Sequence, residues 1–122
     1  MSTRTKEVSV LNGLTLTAIE VAEDKESILF TTDSGRLFRM YHWQDCCEQV
    51  VLEDIIGSLE DLIGSPLLLA EENSASFDVD HDSCTWTFYL FATTKGYVTL
   101  RWNGTSNGYY SKIVDFVEVF NP

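Results

Sequence analysis

A chain of 122 residues with 44% hydrophobic and 12% aromatic content is long enough for one domain with a real core, and too apolar for a disordered segment. No apolar run approaches the roughly 20 residues a membrane helix needs, and residues 1–7 carry no apolar core of a secretory signal. The net charge of -11, with no Lys or Arg between Arg39 and Lys95, argues against a protein that grips nucleic acid through phosphate contacts.

In chain order, residues 1–7 read as a frayed polar tail ahead of a single domain over residues 8–122. Val8, Val10, Leu14, Leu16, Ile19 and Val21 recur mostly at period two, which predicts one or two short strands broken at Asn12-Gly13. Residues 27–31 predict a strand, Asp33-Ser34-Gly35 a turn, and residues 36–41 its hairpin partner. Val51, Leu52, Ile55, Ile56, Leu59, Leu62 and Ile63 recur at three- and four-residue steps, which predicts two short helical turns divided at Gly57-Ser58. Residues 66–70 follow as a buried strand, and the polar, acidic residues 73–83 as a loop.

From there the chain is rich in β-formers. Residues 85–93 (TWTFYLFAT) predict a long strand, 97–102 its partner across a turn near Thr94-Lys95-Gly96, and 113–120 a third strand closing the sheet. Ten of the fifteen aromatics lie from Trp86 onward, so this C-terminal meander is expected to centre the core. The expected fold class is α+β, an antiparallel β-sheet with one or two short helices packed on it.

Several constellations bear on chemistry. Residues 41–48 gather His42, Asp45, Cys46, Cys47 and Glu48, but without the paired ligand spacing of a zinc site. Small buried cysteines at a strand-to-helix junction are the plainer reading. Asp78-Val79-Asp80-His81-Asp82 imitates the start of a calcium loop, yet Ser83 and Tyr89 stand where Gly and a bidentate acid belong. Asn103-Gly104-Thr105 has the form of a glycosylation acceptor without the secretory context to use it. No phosphate-cradling glycine loop or nucleophile elbow occurs, so the expectation is a non-enzyme that needs no cofactor or metal. Three cysteines, two of them adjacent, make no disulfide framework, and the expected location is the cytoplasm.

The connection after residue 102 holds two Asn-Gly pairs, hydroxyls and two tyrosines, more polar chemistry than closing a turn requires. It reads either as a decorated surface hairpin or as a recognition loop flanked by Arg101 and Lys112. On a strand, Tyr97 and Arg101 share a face, so a ring stacked on Tyr97 and a phosphate at Arg101 define a candidate site with Asn107, Tyr109 and Tyr110. A neighbouring subunit of a homo-oligomer is expected to complete it.

Two blocks carry a family resemblance. The first runs Tyr41-His42-x-Gln44-Asp45-Cys46-Cys47-Glu48, then Glu53-Asp54-Ile55-x-Gly57, Asp61-Leu62-Ile63-Gly64-x-Pro66 and Ala70-Glu71-Glu72. The second runs Thr87-Phe88-Tyr89, Lys95-Gly96, Arg101-Trp102-x-Gly104, Ser106-Asn107-Gly108-Tyr109-Tyr110-Ser111 and Val114-Asp115-Phe116. Together they resemble a family of small proteins of tailed bacteriophages and prophages, related to the Thoeris anti-defence "sponge" proteins. That resemblance implies a non-catalytic oligomer in the host bacterial cytoplasm that sequesters a cyclic ADP-ribose type or cyclic nucleotide immune signal. It implies roles for Tyr97, Asn107 and Arg101 on base, ribose and phosphate. The alternative class is an acidic phage protein that inhibits a host defence protein by direct binding, or a phage structural accessory protein.

Overall fold

The computed structural model describes residues 2–43, 47–79, 82–106 and 112–120. It is built almost wholly of antiparallel strands: β1 (Ser2–Thr5), β2 (Leu16–Val21), β3 (Ser27–Thr32), β4 (Leu37–Tyr41), β5 (Gln49–Ile56), β6 (Leu69–Val79), β7 (Asp82–Thr93), β8 (Gly96–Ser106) and β9 (Asp115–Phe120). Five strands form one sheet in the order β1-β9-β4-β3-β2, and four form a second in the order β5-β8-β7-β6. Their inner faces share one core. Phe30 and Phe116 of the first sheet have ring centroids 6.0 Å apart, and Phe30 meets Phe91 of the second at 5.9 Å. Trp102 is fully buried and its indole N–H points at Met40 Sδ, 3.2 Å away. Trp102, Tyr89, Phe30, Phe38 and Phe91 are the largest fully buried side chains of that core.

Antiparallel pairing is as expected, but the one or two short helices expected to pack on the sheet are absent among the described residues. Among the described residues the only helical pieces are two 3-10 turns of four residues, Val8–Leu11 and Leu59–Leu62, so the class is mainly β and not α+β. Residues 49–56, expected as a helical turn, form β5. A bulge between Leu52 and Asp54 shifts its alternation by one residue, and that shift made the apolar spacing look helical. Residues 73–79, expected as loop, are the outer part of β6, an edge strand paired throughout with β7. The tail also differs: Ser2–Thr5 pair with β9 in register Ser2 to Phe120 and Thr5 to Val117.

The C-terminal meander is split between the sheets. β7 and β8 pair in the second, whereas β9 leaves them and inserts between β1 and β4 in the first. The hairpin of β3 and β4 forms where turn chemistry placed it, with Gly35 at φ 86.

Candidate functional site

β7 alternates in a way that exposes what a strand normally hides. Thr87, Tyr89 and Phe91 are buried and point inward, while Trp86, Phe88 and Leu90 are half-buried and point outward. Toward its N-terminal half the strand thus turns hydroxyls to the interior and aromatics to the outside, the reverse of ordinary sheet patterning. Cross-strand pairing extends the outer face. Arg101 of β8 lies opposite Phe88, Asn103 opposite Trp86, and Asp54 of β5 opposite Arg101.

Tyr97 and Arg101 do lie on this outer face. Tyr97 is 78% exposed, and Arg101 is half-buried. The guanidinium carbon of Arg101 sits 4.9 Å from the Trp86 ring centroid, and the Trp86 and Phe88 rings stack at 6.4 Å. Arg101 Nη1 stands 3.5 Å from Asp54 Oδ2, and Arg101 Nε is buried without a hydrogen-bond partner. A cation flattened on an indole with a carboxylate at its edge is held in place, with about a third of its side chain left exposed. Four residues of strand put Tyr97 about 13 Å from Arg101. One small ring stacked on Tyr97 therefore does not also lie beside Arg101. The aromatics next to Arg101 are Trp86 and Phe88, which sequence reasoning missed. Asn107, Tyr109 and Tyr110 lie outside the described residues.

The His42 constellation is a fastener. His42 Nδ1–H donates to the Ile113 carbonyl at 2.6 Å, and Nε2 meets Glu48 Oε2 at 2.9 Å, with both side chains buried. The ring ties the end of β4 to the start of β5 and to the approach to β9, leaving no nitrogen for base chemistry. Cys47 is exposed and precedes a strand, not buried at a strand-to-helix junction as expected. Cys46 lies outside the described residues, as does part of the calcium-like run at residues 80–81. Among the described residues no His, Cys, Asp and Glu group is placed to hold a metal ion, and no helix is long and apolar enough to cross a membrane.

Fold and face together define a two-sheet β protein with an aromatic outer surface. The chain matches, over residues 7–116, the family described as Domain of unknown function (DUF7448), and it belongs to that family. No curated protein and no solved structure matches it.

Proposed function

We propose that this protein acts by binding and not by catalysis, through the outer face of the β5-β8-β7-β6 sheet. The inverted polarity of β7 carries that reading. Trp86, Phe88 and Leu90 are apolar area left facing solvent beside a fixed cation, and such patches on small proteins mark interaction sites. The ligand we propose is a cyclic ADP-ribose type or cyclic nucleotide signal, sequestered intact in a phage anti-defence role and bound by a homo-oligomer. The exposed ring of Tyr97 and the Trp86–Arg101 pair support it, because a base stacks on an aromatic and a phosphate takes a guanidinium edge. An incoming phosphate competes with Asp54 for Arg101.

The test is calorimetry against adenine-containing cyclic signals with Tyr97→Ala, Arg101→Gln and Trp86→Ala alongside. Micromolar binding weakened tenfold or more, about 1.4 kcal/mol, by Arg101→Gln and Trp86→Ala supports the proposal. Absence of heat with every such ligand, or a changed ligand mass on release, sinks it.

A second reading, direct inhibition of a protein partner, is favoured by the breadth of the face, which exceeds what one base covers. Asp54 is bound to Arg101, so charge reversal there disturbs both readings. The discriminating substitutions are Glu53→Lys and Glu60→Lys, both on exposed residues. Loss of function with these two, with ligand heat unchanged, selects the protein partner.

A further inference from the structure

The side of the second sheet opposite the aromatic face has its own departure from pattern. Near Phe91, Leu100 and Trp102 its inner surface is fully buried and apolar. Further along, the same inward positions become Glu72 and Ser74 on β6, Thr85 and Thr87 on β7, and Gly104 and Ser106 on β8. Apolar residues at those positions would have extended the core, and the chain carries hydroxyls and a carboxylate instead. The backbone of Lys112 crosses over Gly104, where an added Cβ would stand 2.8 Å from Lys112 Cβ and 3.2 Å from its carbonyl oxygen. A cavity of about 370 Å³ lies there, lined by Glu72, Ser74, Thr85, Thr87, Lys112 and Val114 among others.

We infer that this trough binds a small hydroxyl-rich molecule, a free sugar or the sugar part of a nucleoside, at a site separate from the outer face. The carboxylate of Glu72 is anchored, since the Tyr89 hydroxyl donates to its Oε1 at 2.6 Å and Tyr89 is 1% exposed. Burial first, and then the hydrogen bond to Glu72, push the Tyr89 hydroxyl well above its ordinary pKa, so it remains a donor. A carboxylate fixed through one oxygen accepts hydroxyl protons through its remaining lone pairs. Ser74 lies opposite Thr87 across the β6–β7 ladder, which sets two more hydroxyls side by side. Threonine presents a methyl beside each hydroxyl, and with Val114 those methyls meet the C–H edges of a sugar ring. The volume accommodates a pentose or hexose. One carboxylate among hydroxyls is too little for a bare divalent cation.

The deciding experiment is a protein-observed NMR titration of the full chain with D-ribose, D-glucose, myo-inositol and adenosine. Saturable shifts centred on the amides of residues 72–74, 85–89 and 112–114 are expected with at least one probe. Adenosine binding without ribose binding would assign the site to a nucleoside's sugar, and ribose binding alone to a free sugar. Glu72→Gln should weaken binding about tenfold and Thr87→Val about fivefold. Tyr97→Ala on the outer face should leave it unchanged, which separates failure here from failure of the proposed function. If every probe gives no saturable shift, or if both trough variants, shown to be folded by their spectra, bind as wild type does, the inference is wrong.

Discussion

Glu118 is a carboxylate that the fold has surrounded with cations. Arg36 donates to it through Nε and Nη2, both at 2.9 Å, and Lys6 Nζ stands 4.0 Å away. The Arg36 hydrogen bonds, with help from neighbouring charge and against the cost of burial, hold its pKa below the ordinary value near 4.5. Arg36 is raised by the same contact. A carboxylate with a depressed folded pKa contributes stability above its unfolded value, and that contribution is lost as pH falls through the folded one. Wild type should therefore exceed Glu118→Gln in stability near neutrality, with the gap closing below about pH 4. Denaturant unfolding at a series of pH values measures it, and a gap of constant size at every pH would refute the assignment.

Within single strands, alternation decides what a substitution costs. Trp102 and Phe88 sit in adjacent strands of one sheet and read alike in sequence, yet Trp102 is fully buried and Phe88 lies half-buried on the opposite face. Trp102→Ala should cost about 3–5 kcal/mol and Phe88→Ala about 1 kcal/mol or less in chemical denaturation. Equal costs would mean that the outer face is covered in solution by another copy. This contrast also shows what the sequence makes legible. The β3–β4 hairpin could be read because its turn residues and alternation are local. β5 could not, because one bulge at residues 52–54 changes the phase of burial. β6 escaped because an edge strand with exposed residues 71–75 offers no apolar row. Tyr97 and Arg101 were legible as a shared face. Trp86 and Phe88 were not, because strand alternation does not say which of two half-apolar faces turns inward.

At the scale of the whole molecule, which strands meet depends on pairings far apart in sequence, and no periodicity encodes those. β9 could be seen as a strand, but its place between β1 and β4 depends on register with residues 2–5 and 37–41. A chain so arranged should give a far-ultraviolet circular dichroism spectrum of β type. A double minimum of helical type would contradict the architecture. Nineteen acids against eight Lys and Arg leave the surface strongly anionic, so association with a basic partner should weaken steeply with added salt.

The insertion of β9 also has a consequence for how the chain is made. While it is still on the ribosome, β2, β3 and β4 can form a meander, but β4 has an open edge and β1 has no neighbour to join. Both wait for residues 115–120. Until those emerge, an unpaired strand edge and a core still lacking Phe116 and Val117 stand open to other chains, which is the condition under which nascent β proteins aggregate. Of the strands described, the last in chain order is thus the one that closes the first sheet.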